Sequence, residues 1–323
     1  MSSIKVSIRN VCKVFDRATA PALDDVSLEI ADGSVCVLMG LSGSGKSTLL
    51  RTINGLAQPS AGHVLVDGVD LAGLAPRRLQ QLRRGAMGMV FQSCALFPHR
   101  SVIDNAAFGL ELAGVGRVER HRRAAALLEQ VGLLAHAAQH PHQLSGGMRQ
   151  RVGLARALAI DPSLLLMDEA FSALDPLKRR EMQELLLNLQ RERRRTIVFV
   201  SHDIDEALRL GEQIAILHAG RLLQQGTPRE LLSNPVDDHV RRFFQSADTS
   251  GHLLATDLID PDAGAPVVAG ESSVAADTRL SELMPRLGAL RLPLAVRDAS
   301  GVLLGLITAA SALRTITRAS ARG

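Results

Sequence analysis

Short apolar runs and longer helical patterns alternate along most of the chain. The run "VCVLM" at 35–39 is wholly apolar and stops at Gly40, the pattern of a strand buried in a parallel sheet. The segment 23–39 reads as strands around the turn "ADG", and a helix is expected from Lys46 through "STLLRTINGL". Residues 63–71 predict a short hairpin closed by Asp67-Gly68, and "MGMVFQ" at 87–92 predicts another strand. From about 100 to 160 strand signals vanish and two stretches, "RVERHRRAAALLEQVGL" and "GGMRQRVGLARALAI", carry helical periodicity. Strands return with "SLLLMDE" at 163–169 and "TIVFVSHD" at 196–203, followed by a hairpin at 213–226 and two short helices ending near 245. Strands alternating with helices predict an α/β fold with a mostly parallel sheet. After the small, polar stretch "QSADTSGH", residues from about 252 to 318 form a separate small unit.

Composition narrows this picture. The chain has 323 residues, 46% hydrophobic and 22% charged, which suits a soluble globular protein of about two domains. Its net charge of +4 is compatible with an anionic ligand without requiring one. Cys12, Cys36 and Cys94 lack metal-type spacing and read as reduced cytosolic thiols. The N-terminus has no signal-peptide pattern, and no apolar stretch reaches the roughly 20 residues that span a bilayer, so any membrane role is peripheral. Lysine is confined to Lys5, Lys13, Lys46 and Lys178, and Trp and Tyr are absent. Without aromatic stacking platforms, nucleic-acid binding is not expected.

The chemistry lies at the strand ends. "GLSGSGKST" at 40–48 follows a strand and opens a helix, the context of a Walker A phosphate loop. Gly40, Gly43 and Gly45 let backbone N–H groups face phosphates; Lys46 is expected on the β and γ phosphates and Ser47 on Mg²⁺. The remaining loop residues, Leu41, Ser42, Ser44 and Thr48, complete the ATP cradle. "LLLMDE" ends a second strand with Asp168, placed for Mg²⁺, and Glu169, a base for the attacking water. Gln92 and His202 end two further strands; the amide suits sensing of Mg²⁺ or water, and the imidazole suits the γ-phosphate and orientation of the base.

A second Gly pair opens a helix in "QLSGGMRQRVGLARALA", far from the first loop. The order GLSGSGKST, Gln92, LSGGMRQ, LLLMDE, SALD and His202 resembles the nucleotide-binding subunit of ABC transporters over about residues 4–245. The resemblance implies a P-loop NTPase cassette whose mostly parallel sheet carries an antiparallel edge subdomain and a helical subdomain at about 93–160. It implies a homodimer in which Leu144, Ser145, Gly146, Gly147 and Gln150 of one subunit meet the nucleotide held by the other. Asp175 then lies in the loop lining the dimer seam, and Phe15 stands where the family stacks an aromatic on adenine. Many members use Tyr there, which this chain lacks.

The subfamily resembled most is the glycine betaine/proline importers, on "MVFQSCALFPHRSVIDNAAFGLELAG", Met148-Arg149-Gln150 and Ala170 where most ABC subunits have Pro. Choline or carnitine importers are the nearest alternative, and a soluble non-transport ABC ATPase is disfavoured by the single cassette and short insertion. Quaternary ammonium ligands favour cages of Trp or Tyr, so the osmolyte is expected on a periplasmic or extracellular binding protein and a membrane permease. The segment 93–112, with Leu96 and Phe97, would receive the permease. The expected place is the cytoplasmic face of the bacterial inner (plasma) membrane.

Residues 291–316 resemble the second half of a CBS module, a small α+β unit within 246–323, with a helix expected at 277–290. Arg314, Arg318 and Arg322 recur every fourth residue, fitting a solvated helix end or, more sharply, a contact with anionic lipid.

Overall fold

In the computed structural model the described residues are 3–16, 20–244, 253–261, 263, 273–280, 282–284 and 293–320, without the side chains of 316–320. They divide into two compact units, Met1–Leu231 and Leu232–Gly323.

The first unit opens with β1 (Ile4–Lys13) and β2 (Leu23–Ala31), followed by β3 (Val35–Met39), α1 (Lys46–Ile53) and the hairpin β4 (Ala61–Val66) and β5 (Val69–Asp70). Then come α2 (Pro76–Ala86), β6 (Met87–Val90) and four helices, α3 (Val102–Ala106), α4 (Phe108–Leu112), α5 (Arg117–Gln130) and α6 (Gly146–Leu158). The chain re-enters the sheet with β7 (Leu164–Asp168), α7 (Pro176–Glu192), β8 (Thr196–Val200), α8 (Ile204–Leu210) and the antiparallel pair β9 (Gln213–His218) and β10 (Arg221–Gly226).

Two sheets result, one of order β2-β1-β4-β5 and one of order β10-β9-β3-β8-β7-β6. In the larger sheet, β9, β3, β8, β7 and β6 run parallel. Their continuous apolar runs follow from burial on both faces: every residue of β3, β7 and β8 is buried. Leu49, Leu50 and Ile53 of α1 are fully buried in one core with residues of both sheets. The strand β1 and helix α2 were not anticipated. In α2 only Leu79 is buried, so there is little periodic signal to read.

The helices between β6 and β7 have a core of their own, including Val102, Leu128, Leu144, Val152 and Ala155. Leu96 packs half-buried against this core, and Phe97 tilts against Phe108 at 4.5 Å between centroids. Buried Asn105 fixes that loop by donating to the Phe97, Arg100 and Ser101 carbonyls at 3.0–3.1 Å.

The chain continues through α9 (Pro228–Ser233) and α10 (Asp238–Phe243). In the second unit, β11 (Ser273–Ala275) pairs in parallel with β12 (Leu294–Arg297), which pairs antiparallel with β13 (Leu303–Ile307) before α11 (Ala309–Ser320). Of the helix expected at 277–290, residues 277–280 and 282–284 are described: Leu280 and 282–284 are helical, whereas Asp277 lies in a turn and Arg279 forms an isolated bridge with Leu254, so the helix starts later than expected. Of the Arg stripe, Arg322 and the side chain of Arg318 lie outside the described residues, while Arg314 pairs with Asp260 at 3.2 Å.

Candidate functional site

The parallel strands place their carboxyl ends in a row. In sheet order, the loop after β3 carries Gly40–Lys46, β8 is followed by His202, β7 ends at Asp168 and Glu169, and β6 is followed by Gln92. Crevices at such edges are where parallel sheets bind ligands.

The phosphate loop requires its glycines. A Cβ at Gly40 would overlap the Leu217 carbonyl oxygen, and one at Gly45 would sit 2.5 Å from the Ala22 carbonyl. Gly40, Gly43 and Gly45 have φ of 146°, 79° and 100°, open to glycine and strained for other residues. Leu41 and Ser42 are exposed, Thr48 is half-buried, and Ser44 is buried with no hydrogen-bond partner for its Oγ. Lys46, the first residue of α1, is buried, and its Nζ donates to the Gly40 and Leu41 carbonyls at 2.8 and 3.0 Å. Burial pushes its ammonium pKa down, against the upward pull of Glu169 and Asp168. A buried cation curled over a cradle of bare backbone, beside an orphan hydroxyl, fits phosphate oxygens.

Ser47 Oγ donates to Asp168 Oδ1 at 2.8 Å, and Arg51 lies 3.8 Å from the other oxygen of that carboxylate. Among the described residues no group of three or more His, Cys, Asp or Glu is placed to hold a metal by itself. A hydroxyl, a carboxylate and the Gln92 amide are hard oxygen donors, however, and Mg²⁺ takes few protein ligands when phosphates supply the rest. The donor set fits that ion.

Glu169 has φ of +45°, uncommon for a residue with a side chain, and its N–H donates to the Val200 carbonyl at 3.2 Å. Gln92 Nε2 donates to Glu169 Oε2 and to Ser172 Oγ, both at 3.2 Å. His202 Nδ1 lies 3.6 Å from the same Glu169 oxygen. The amide, the carboxylate and the imidazole, predicted from three separate strand ends, thus converge on one oxygen.

The second glycine pair is built differently. Ser145 caps α6 by accepting from the Met148 N–H at 3.4 Å, and Gly146 and Gly147 are the first two helical residues. Neither has a positive φ. A Cβ on Gly146 would meet only the end of the Arg149 side chain at 4.0 Å, and one on Gly147 only Lys178 and Leu174 side chains at 3.4 and 3.5 Å. Leu144 and Gln150 are buried, and Gln150 Oε1 has no partner. Asp175 caps α7 through the Lys178 N–H at 3.0 Å, a bond that holds its carboxyl below the usual range. No hydrogen bond or ion pair among the described residues joins the loop 40–48 to 144–150. Phe15 is 47% exposed, with Lys13 Nζ 5.0 Å over its ring, which excludes a buried core role.

Sequence reading missed Arg179, Asp203, Ser201, Gln183 and Glu206. They form a hydrogen-bonded chain between α7 and α8, and the spacing Asp203-x-x-Glu206 at the start of a helix was the available signal.

A family model described as "ABC transporter" matches residues 23–172. The chain is 56% identical over 234 residues to the glycine betaine/proline betaine transport system ATP-binding protein ProV of Escherichia coli (strain K12). That match takes in 72% of this chain and 58% of ProV, so the chain spans less than two thirds of that relative's length. It is 43% identical over 296 residues to the trimethylamine N-oxide transport system ATP-binding protein TmoW of Ruegeria pomeroyi, covering 84% of this chain and 86% of TmoW. Among solved structures it is similar to the dimeric post-hydrolysis state of the ATP-binding cassette MJ0796 bound to ADP and Pi. That likeness has a TM-score of 0.63 and 36% identity, and covers 69% of this chain and 98% of the other.

Proposed function

Since this chain belongs to the ABC transporter family, we propose that it is the ATP-hydrolysing subunit of an importer for a glycine betaine/proline-type osmoprotectant. The observation that carries the hydrolytic reading is the meeting of Gln92, Glu169 and His202 at Glu169 Oε2, beside Lys46 and the Ser47–Asp168 pair. Lys46 and the N–H groups of Gly43–Thr48 hold the ATP phosphates. Ser47, Asp168 and Gln92 would hold Mg²⁺, which supplies neutralisation of charge on the phosphate oxygens. The Glu169 carboxylate orients water and accepts its proton, and His202, with Nδ1 3.6 Å from that carboxylate, holds it and is the candidate donor to the γ-phosphate. Phe15 offers an exposed ring for adenine.

The second half of the site comes from another copy of the chain. Gly146 and Gly147 open a helix that their own surroundings do not require to be glycine, and where Ala would be favoured by about 0.4–1 kcal/mol through the entropy of the unfolded chain. A bare helix N-terminus suits close approach to a γ-phosphate held elsewhere. We therefore read the working unit as a homodimer with two shared ATP sites, Ser145–Gly147 and Gln150 facing across and Asp175 at the seam.

Transport needs partners. Among the described residues no helix is long and apolar enough to cross a membrane. The chain has no Trp or Tyr for a cage around a methylated amine. A permease, fed by an external binding protein, completes the system, with the segment 93–112, including Leu96 and Phe97, as its contact and the cytoplasmic membrane face as its location. The second unit, with β11, the helical residues 280 and 282–284, then β12, β13 and α11 in βαββα order, is read as a single CBS-like module, with the domain boundary near 245. Choline or carnitine stays the alternative solute.

Glu169→Gln tests the chemistry. Steady-state hydrolysis is expected to fall by about 10²–10⁴-fold with ATP binding retained; unchanged turnover overturns the assignment of the base. For the solute, a strain lacking this chain is expected to lose uptake of radiolabelled glycine betaine; undiminished uptake contradicts that reading.

A further inference from the structure

The guanidinium of Arg179 holds two loops at once. It lies in the first turn of α7; Nη1 donates to Asp203 Oδ2 at 2.6 Å and Nη2 to the Leu174 carbonyl at 3.3 Å. Leu174 precedes Asp175, and Asp203 follows His202. Asp203 is in turn fixed on both sides. Its Oδ1 caps α8 by accepting from the Glu206 N–H at 3.1 Å, and its own N–H donates to Ser201 Oγ at 3.0 Å. The Ser201 N–H donates to the Leu38 carbonyl of β3 at 3.1 Å, and its hydroxyl donates to buried Glu206. One turn beyond Arg179, Gln183 Nε2 donates to the other Glu206 oxygen at 3.2 Å. His202 therefore sits between two residues that are both anchored, and α7 grips the start of α8 at two points.

We propose that Arg179 is a positioning residue that ties His202 to the Asp175 loop, so that contact at the subunit seam holds the histidine in its place beside Glu169. The proposal rests on the roles assigned above to Asp175, His202 and Glu169. It adds a path between them inside one subunit: seam loop, guanidinium, Asp203, His202. Every link is a hydrogen bond to a group adjacent in sequence to the residue it positions. The alternative is an ordinary partly exposed ion pair, the two side chains being 27% and 29% exposed. Such a pair contributes to stability and nothing to turnover.

Lysine separates the two. A single ammonium satisfies the Asp203 carboxylate but does not present the planar fork that reaches a carboxylate and a carbonyl together. The full-length protein is assayed for ATP turnover against ATP concentration, and for Tm, as wild type, Arg179→Ala, Arg179→Lys and Asp203→Asn. For Arg179→Ala the expectation is a fall of about tenfold or more in kcat, with KM for ATP within about twofold. Arg179→Lys is expected to recover Tm while kcat stays low. If Lys restores kcat together with Tm, or if kcat is unchanged in all three variants, the coupling role is overturned. Should the alanine variant not fold, Arg179→Lys and Asp203→Asn decide alone. Glu169→Gln run in parallel keeps the two readings apart: if it abolishes turnover while the Arg179 variants match wild type, only the coupling fails.

Discussion

Two helix N-termini in this chain carry glycines, and they carry them for different reasons. At the start of α1 the glycines answer to the chain itself: positive φ at 40, 43 and 45, and backbone atoms where a Cβ would go at 40 and 45. At the start of α6 the backbone is helical, and the Cβ positions of Gly146 and Gly147 meet side chains at ordinary contact distance or beyond. The first loop also has its lysine, its magnesium-type donors and its base within reach, whereas the second has a serine cap. Glycine that the fold requires marks the half of the site that one chain builds by itself. Glycine that the fold does not require, placed where it weakens a helix, marks a surface kept bare for something else.

Substitution separates the two most sharply at Gly45. Gly45→Ala forces a Cβ against the Ala22 carbonyl at a φ of 100°. The expected result is a loss of ATP binding and a destabilisation of about 2–4 kcal/mol, read by nucleotide titration and denaturant melts. Retained ATP affinity would remove the strain argument for this loop.

Gly146→Ala has a smaller effect of mixed sign. It is expected to stabilise the isolated chain by about 0.5–1 kcal/mol through helix propensity, while hydrolysis falls several-fold. A variant that loses both stability and activity would place the glycine under a local constraint and erase the contrast with α1.

A still smaller effect concerns the rear of the catalytic edge. Burial holds the Glu206 carboxyl above the usual glutamate range, against the hydrogen bonds from Ser201 and Gln183. The folded chain then binds more protons than the unfolded one above the ordinary glutamate pKa. This contribution to stability is full below that pKa and is lost as pH rises through the folded value. Glu206→Gln is expected to flatten the decline on the acidic side of neutrality in a Tm-against-pH series. A series that keeps its slope would exclude Glu206 as its source.

The phosphate loop and the acids of β7 were legible because they sit at the ends of short, wholly buried strands, and burial on both faces leaves an apolar run that reads directly. His202 was legible for the same reason, and Gln92 because β6, though Met89 is only half-buried, still reads as a short apolar run. The strand β1 escaped because its buried positions include Lys5 and Ser7. Lys5 is paired with Asp67 at 2.8 Å, a partner 62 residues away. Arg179 escaped because its acceptors lie on either side of it in sequence, at Leu174 and Asp203, and only the packing of α7 against α8 brings them to one guanidinium. Glycines 146 and 147 were visible as residues, but that nothing in the chain demands them required the coordinates.

The sharing of sites between two copies is tested most directly by mass in solution. The Glu169→Gln chain of 34.5 kDa is measured by light scattering with and without ATP and Mg²⁺, alone and combined with Ser145→Arg. The expected result is roughly a doubling of mass when ATP binds the single variant. The double variant is expected to stay at monomer mass with its nucleotide still bound. A single variant that remains monomeric when saturated with ATP, or a Ser145→Arg chain that loses ATP affinity as a monomer, would contradict it.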